Sequence, residues 1–227
     1  MPADGAAPAP RRRLTQAERS ATMRARLVAA AIRCLNRDGY ASTTVAMVAD
    51  EAGVSRGGML HQFPTKVDLM LEVVRFASDH DEFAEEGDKV NLDPRAHFID
   101  LSDAFWRNVT RPPSAAKLEI MIAAHSDSVL AVRLPPIIRE IEDQRRRRVW
   151  RLAEALGAKD RDAVDAMVTL HLSAMRGLSI ELRFAEDSAA VGRAYDLLKT
   201  YKLWFVEQML KQVGVQGVAN GSPPVRA

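Results

Sequence analysis

The chain contains little cysteine and no long hydrophobic run, and both absences restrict its class. Cys34 is its single cysteine among 227 residues, so no disulfide can form within the chain. No stretch of about 18 uncharged apolar residues occurs, so no transmembrane helix is predicted. The N-terminal segment MPADGAAPAP has no apolar core of a secretory signal. We therefore expect a cytoplasmic protein without a membrane partner, in which Cys34 is a buried small apolar side chain rather than a redox group.

Signatures of catalysis and of metal binding are also missing. The sequence has no G-x-S-x-G, Walker A loop, H-E-x-x-H or C-x-x-C, and His80, His97, His125 and His171 have no partners at metal-ligand spacing. We expect no cofactor, no metal and no enzymatic activity. The net charge of +2 is too small for bulk, sequence-independent binding of nucleic acid. The distribution of charge along the chain is more informative than its total. Residues 1–76 are basic, with eleven Lys/Arg and seven Asp/Glu, whereas the remainder is nearly neutral, with 21 Lys/Arg and 23 Asp/Glu. This asymmetry is typical of a basic DNA-binding head on a near-neutral body.

No long alternation of apolar and polar residues is present, so the sequence predicts an all-α fold. A capping box at Thr15 starts a first helix that ends near Gly39, and Tyr40 offers an aromatic anchor for a small core. The predicted helices beyond the basic head cover about 66–83, 94–110, 115–126, 137–156, 160–184 and 189–213, with an acidic loop over 80–90, a break at 111–113 and an interruption or kink at 135–136. The predicted organisation is a disordered basic arm over 1–13, a DNA-binding head over 14–64, a body over 65–213 and a disordered tail over 214–227.

The segment VAMVADEAGVSRGGMLHQFPTK, residues 45–66, predicts two short helices joined by a tight turn. Gly53 stands at the end of the first, where a helix terminus favours a residue that tolerates positive φ. Ser55 stands where the second helix needs an N-cap. Ala49 is small at the point where two steeply crossing helices would touch. This is the helix-turn-helix pattern, whose second helix enters the major groove of DNA.

Together with RLVAAAIRCLNRDGY upstream, this segment resembles the DNA-binding domain of TetR/AcrR-type transcriptional regulators over roughly residues 15–75. The resemblance implies a homodimer, an N-terminal three-helix head that binds DNA, and a C-terminal helical domain that binds a small effector and dimerises. We expect a repressor released from a pseudo-palindromic operator in double-stranded DNA by a mostly apolar small molecule. The alternative is a helical enzyme or ligand-binding protein with a vestigial head.

The predicted DNA contacts come from the second helix and from the N-terminal ends of the helices before and after it. Arg56 can form a bidentate pair with guanine O6 and N7, hydroxyls at a helix N-terminus suit a phosphate, and Lys66 resembles the family's phosphate-contacting lysine. Each could instead be an ordinary exposed polar residue. The predicted DNA-binding residues are Thr43, Thr44, Ser55, Arg56, Gly57, Gly58, His61, Gln62 and Lys66.

Two positions in this helix depart from the family pattern. Leu60 stands where the family usually has a phosphate-contacting Tyr, and Gly58 where Thr or Ser is common. Gly57 and Gly58 together cost the isolated helix roughly 1–2 kcal/mol relative to alanine. The missing side chains could let the backbone approach the bases, or the helix could be frayed until DNA orders it.

The body offers candidates for an effector pocket and for a dimer interface. Methionine and aromatic stripes are usually core, and a histidine with apolar neighbours is more often a satisfied core residue than a ligand. The predicted effector-binding residues are Phe98, Phe105, Trp106, Met121, Ile122, His125, Met167 and His171. The last two helices are apolar on more than one face, which predicts a four-helix interface rather than a thick monomeric core. The predicted interface residues are Met175, Leu178, Leu182, Tyr195, Leu198, Tyr201 and Phe205.

A run of four arginines, 145–148, has the composition of a nucleic-acid patch. Glu140, Glu142 and Asp143 precede it within helical reach of several of these arginines. We therefore expect a solvated, ion-paired helix face.

Overall fold

The computed structural model describes residues 15–79 and 94–219, apart from the side chains of 94–97, 99 and 210–219. Within these residues all regular structure is helical, as predicted. The helices are α1 (Gln16–Ser42), α2 (Val45–Ala52), α3 (Arg56–Gln62), α4 (Lys66–Asp79), α5 (Pro94–Val109), α6 (Pro112–Ala123), α7 (Ser128–Ala155), α8 (Arg161–Phe184) and α9 (Ser188–Ala219). The predicted arm over 1–13 and the acidic loop over 80–90 lie outside the described residues. No described helix is both long and apolar enough to cross a membrane.

The first helix starts where its sequence predicts, but it kinks at Gly39 and continues to Ser42 instead of ending at Gly39. The Thr15 hydroxyl accepts the backbone N–H of Glu18, and the Glu18 carboxylate accepts the backbone N–H of Thr15. Gly39 interrupts the helix with φ 73°, a conformation that favours glycine. Leu27, Cys34 and their apolar neighbours on the stripe are buried. The capping box and the burial of Cys34 are thereby confirmed.

One hydrophobic cluster joins the head to the first part of the body. It combines buried side chains of α1, α2 and α3 with Leu69, Met70 and Val73 of α4, Ile120 of α6 and Leu130 of α7. Helix α4 thus packs with the head although it lies beyond the predicted boundary at residue 64. A second cluster, formed by α5, the end of α7, α8 and α9, makes up the rest of the body.

Three helices of the body differ in their ends from the prediction. Helix α6 begins at Pro112 rather than at Ala115, because a proline in the first turn removes an N–H that has no helical partner there anyway. Helix α7 begins at Ser128 and continues through Pro135 and Pro136 without interruption, with its N-terminal turns packed into the first cluster through Leu130 and Leu134. Helix α9 continues to Ala219, so residues 214–219 of the predicted disordered tail are helical.

Candidate nucleic-acid interface

The turn between α2 and α3 has the geometry that its sequence predicts. Gly53 adopts a left-handed conformation with φ 61° and ψ 42°, and the N–H of Val54 donates to the carbonyl of Ala49 at 2.9 Å. Ala49 is buried in the hydrophobic cluster that α1, α2 and α3 share. From α1, Arg26 Nη2 donates to the carbonyl of Ala52 at 2.6 Å. This hydrogen bond from α1 therefore stabilises the turn.

Helix α3 presents one face to the solvent and buries the other. The Ser55 hydroxyl caps it by accepting the N–H of Gly58 at 3.1 Å. Met59 is fully buried and anchors the inner face. Arg56 and His61 are exposed on the outer side. The outer side thus carries hydrogen-bond donors, which is the arrangement a major-groove reading helix needs.

Two residues of α1, which the sequence analysis did not single out, hold the end of α3. Ser20 Oγ donates to the side-chain oxygen of Gln62 at 3.1 Å, and Arg24 Nη1 donates to the Gln62 carbonyl at 3.1 Å. The guanidinium of Arg24 also lies 4.4 Å from the centroid of the Phe63 ring and forms an ion pair with Glu72 at 3.2 Å. Ser20 and Arg24 lie four residues apart, so they share one face of α1, and this spacing could have indicated from the sequence that both contact the same neighbour. Gln62 is left with its amide N–H groups for a DNA contact.

Thr43 is a correction to the predicted set. Its side chain is fully buried, and its hydroxyl and backbone N–H both donate to the Gly39 carbonyl, at 2.7 and 3.3 Å. Thr43 therefore closes the end of α1 and cannot reach a phosphate. Thr44 is exposed and caps α2 by accepting the N–H of Met47 at 3.2 Å, which leaves its hydroxyl hydrogen available.

Lys66 lies at the start of α4 in a half-buried position. Its Nζ donates to the Tyr40 carbonyl at 2.7 Å and lies 4.0 Å from the centroid of the Tyr40 ring. Burial lowers the pKa of Lys66, partly offset by the charge of Asp127. An ammonium has three donors, so one structural bond still leaves donors for a phosphate.

The two glycines of α3 have different surroundings. A Cβ atom at Gly57 would meet nothing within 4 Å, whereas a Cβ at Gly58 would lie 3.2 Å from both Ser55 Oγ and Val54 Cγ1. Gly58 thus allows the turn to pack closely against α3. Gly57 leaves bare backbone on the outer side, where DNA could approach it.

The predicted effector residues divide between two cavities and the surface. Phe98, Phe105, Met167 and His171 line a cavity of 40 Å³ inside the second cluster, and Met121 joins Phe105 at a cavity of 110 Å³ between α4 and the body. Trp106 lines neither cavity and instead stacks on Tyr195 with ring centroids 4.7 Å apart.

His171 and His125 have opposite environments. His171 is buried between the carbonyls of Met167 and Leu198, at 3.1 and 3.2 Å, and burial lowers its pKa. It is a satisfied core histidine. His125 and Ile122 are exposed, because the end of α6 buries Ile120 and Ala123 instead. The prediction that these two residues line a pocket is wrong.

The smaller cavity contains a lysine that the sequence analysis missed. Lys202 is buried, and its Nζ donates to Ser102 Oγ at 2.8 Å and to the Phe98 carbonyl. Burial lowers the pKa of Lys202 to about 7, opposed by the charges of Asp103 and Asp100. The sequence analysis predicted an apolar face for the last helix. It did not identify Lys202 as a buried residue, because a single lysine next to apolar residues is usually exposed.

The predicted interface residues are only partly at the surface. Met175 and Tyr195 are buried within the chain, and the Tyr195 hydroxyl donates to Asp103 at 2.5 Å, so their assignment to an interface is wrong. Leu178, Leu198 and Phe205 are half-buried, whereas Leu182 and Tyr201 are exposed. Between α8 and α9 lies a shallow apolar groove, bordered by exposed Leu170, Leu197 and Tyr201.

The arginine run is also different from the predicted solvated face. Arg145 is only 7% exposed. Arg146 pairs with Asp165 of α8 at 3.7 Å rather than with the acids of its own helix. Of the four arginines, only Arg147 is exposed.

A helix-turn-helix unit with a buried inner face and a donor-rich outer face, carried on an all-helical body, defines a DNA-binding protein of the transcription-factor class. A model of "Bacterial regulatory proteins, tetR family" matches residues 27–73. The chain is 30% identical over 193 residues to the HTH-type transcriptional regulator CymR of Pseudomonas putida, covering 78% of this chain and 87% of that protein. The chain belongs to the TetR family of transcriptional regulators, as its sequence pattern predicted.

Two solved structures share the fold at 18% identity. A TetR transcription regulator from Haloarcula marismortui ATCC 43049 superposes with a TM-score of 0.63 over 83% of this chain and 98% of that chain. GusR of Salmonella enterica superposes with a TM-score of 0.59 over 87% of this chain and 98% of that chain.

Proposed function

We propose that this regulator is a homodimeric repressor that leaves a pseudo-palindromic operator when a small effector binds its body. The observation that carries the proposal is the pre-formed reading helix α3. Its inner face is fixed by Met59 and by the α1 residues Ser20 and Arg24, while Arg56 and His61 remain exposed. A helix held in this way pays little ordering entropy on binding, which favours specific readout.

The polar residues available for DNA contact fall into two groups, one proposed to contact bases and the other to contact phosphates. We propose that Arg56 reads a guanine, that His61 and the amide nitrogen of Gln62 contact base edges or phosphates, and that Gly57 allows close approach of the backbone. The hydroxyls of Thr44 and Ser55, together with Lys66, are proposed to hold phosphates, which positions the helix without specifying sequence. Gly58 contributes by packing, not by contact with DNA.

We propose that a second copy of the chain binds at the groove between α8 and α9 and forms the dimer interface there. In the groove Leu197 is 71% exposed and Leu170 50%, and Trp204, 53% exposed, stacks on Tyr201 beside it; such a concentration of exposed apolar surface marks an interaction site. A symmetric dimer presents two α3 helices to equivalent half-sites about one DNA turn, or a small multiple, apart. Leu178, Leu198 and Tyr201 line this groove, and we propose that Leu182 and Phe205 extend the interface beyond it.

Contacts between head and body provide the proposed route of control. Arg133 of α7 donates to Asp68 of α4 at 2.8 Å, and Tyr40 of α1 donates to Asp127 at the start of α7. An effector that binds the body better in one arrangement of these contacts lowers operator affinity by that difference. Because a repressor acts where the chromosome lies, we propose the cytoplasm as its compartment.

The test is selection of binding sites from random DNA, followed by quantitative gel shifts. We expect a pseudo-palindromic site and a loss of about 1–3 kcal/mol for Arg56→Ala, confined to one base position per half-site. Arg147→Ala, which removes an exposed arginine of the body, is the matched control and should bind like the wild type. Selection of no site, or equal losses for both variants, would overturn the proposal and favour a helical enzyme or ligand-binding protein.

A further inference from the structure

The cavity of 110 Å³ lies where the body meets the helix that carries the head. Ala77 of α4, Phe105 of α5, Met121 of α6, Arg145 of α7 and Arg176 of α8 all contribute to its wall. Five helices thus converge on this space. A ligand bound there would touch both the helix that supports the head and the core of the body.

The wall of this cavity is strongly cationic. Lys117, Arg145, Arg176 and Arg183 line it, and none of the described lining residues is Asp or Glu. A wall of this charge favours an anionic ligand over a neutral or cationic one. Desolvation lowers the pKa of Arg176, and the charge of Arg145 lowers it further. The Glu142 carboxylate forms an ion pair with Arg176 at 3.8 Å, and its charge partly offsets this lowering of the pKa, but the distance is too long for a hydrogen bond.

Apolar side chains complete the same wall. Phe105, Val109, Leu118 and Met121 face the cavity beside the cations. The guanidinium of Arg145 lies 5.4 Å from the centroid of the Phe105 ring. Phe105 also lines the smaller cavity of the second cluster, so it lies between the two spaces. A hydrated inorganic anion would leave this apolar surface uncovered, whereas an organic acid covers it.

We propose that this cavity binds the carboxylate of a small organic acid between Arg145 and Arg176, with the acid's apolar part against Phe105 and Met121. Planar guanidinium groups match a carboxylate through paired hydrogen bonds. The inference deepens the proposed function, since it assumes that the ligand of the body is the effector, and it assigns that effector a chemical class.

Two of the wall cations also hold the head. Arg183 Nη2 donates to Asn36 Oδ1 of α1 at 3.3 Å, and Lys117 Nζ donates to Ser78 Oγ of α4 at 2.9 Å. A carboxylate in the cavity attracts both cations away from these neutral partners. The contacts between head and body then differ between the empty and the occupied state, which is the requirement for allosteric coupling.

The experiment is calorimetric titration of the full-length protein with phenylacetate and hexanoate, each paired with its neutral amide and compared with inorganic phosphate. We expect at least one acid to bind about ten-fold or more tightly than its amide. Arg176→Gln should weaken binding of that acid by about 10- to 100-fold without weakening the amide. The matched control Arg147→Gln should bind the acid like the wild type. If Arg176→Gln does not fold by circular dichroism, Arg183→Gln, at an exposed wall residue, replaces it in the same comparison.

Three outcomes would overturn the inference. They are no binding of either acid at millimolar concentration, equal binding of acid and amide, and binding of phosphate alone as a simple counter-ion. Operator binding is measured separately, by gel shift without any acid. A failure of operator binding with intact acid binding therefore rejects only the proposed function, and the reverse result rejects only the organic-acid site.

Discussion

The hydroxyl of Tyr40 donates a hydrogen bond to Oδ2 of Asp127 at 2.6 Å. Tyr40 belongs to the last turns of α1 in the head, and Asp127 caps α7 of the body by accepting the N–H groups of Val129 and Leu130. Burial raises the pKa of Tyr40, and its hydrogen bond to Asp127 raises it further. The same ring supports Lys66 on its face. The end of the head, the linking helix and the start of α7 are therefore joined at one tyrosine.

Removal of this hydroxyl tests the joint. Tyr40→Phe keeps the ring and deletes the bond to a charged partner, so we expect a loss of about 1–2 kcal/mol in the free energy of unfolding. Urea denaturation followed by circular dichroism measures it. Ser42→Ala, which removes an exposed hydroxyl at the end of α1, is the control and should change stability by less than about 0.5 kcal/mol. Equal effects of the two variants would show that the bond contributes nothing specific.

The sequence predicted the local signals of the head well, and it missed features that depend on packing between helices. The Thr15 cap, Gly53 and Ser55 were found because caps and positive φ are requirements of a few neighbouring residues. Burial of Arg145 was missed, although four consecutive residues span a full helical turn, so one of the four arginines had to face inward. His125 was misplaced because apolar neighbours in sequence do not fix which side of a helix end meets the core.

Alanine substitutions at Gly57 and Gly58 test whether α3 is ordered in the free protein. Gly57→Ala adds a methyl into open space, so we expect it to stabilise the protein by about 0.5–1 kcal/mol. Gly58→Ala brings its Cβ to 3.2 Å from Ser55 Oγ and Val54 Cγ1, which offsets the same gain. Thermal unfolding without DNA compares the two. If both variants raise the melting temperature alike, α3 is frayed in the free protein and the close packing at Gly58 is not maintained in solution.

Lys202 predicts a pH dependence of stability with a definite sign. Burial lowers its pKa to about 7 in the folded chain, whereas an unfolded lysine titrates near 10.4. Between these values the unfolded state binds more protons, so the free energy of unfolding rises with pH. The cost of the buried charge is fully present below about pH 7. We expect a gain of about 1–2 kcal/mol between pH 7 and 9.

Urea unfolding at several pH values in this window measures the slope. Lys202→Met should flatten it, and Lys159→Met, at an exposed lysine, should leave it unchanged. Above about pH 10 the slope reverses, because burial and hydrogen bonds to Asp127 and Asp103 raise the pKa values of Tyr40 and Tyr195, so the unfolded state loses these protons first. A slope that survives in Lys202→Met would assign the dependence to other groups.

The proposed dimer surface can be tested without disturbing the core of the chain. Leu197 is 71% exposed on α9 in the groove, so Leu197→Glu adds a charge that the monomer tolerates and that a buried interface does not. Val132, 74% exposed on α7, is not among the residues that line the groove, and Val132→Glu is the matched control. Sedimentation equilibrium should show a dimer for the wild type and for Val132→Glu, and a monomer for Leu197→Glu with unchanged helical content. The monomer should also lose operator affinity, because a single α3 contacts only one half-site. A wild type that sediments as a monomer at micromolar concentration would remove the homodimer from the proposal and leave the groove for a different partner.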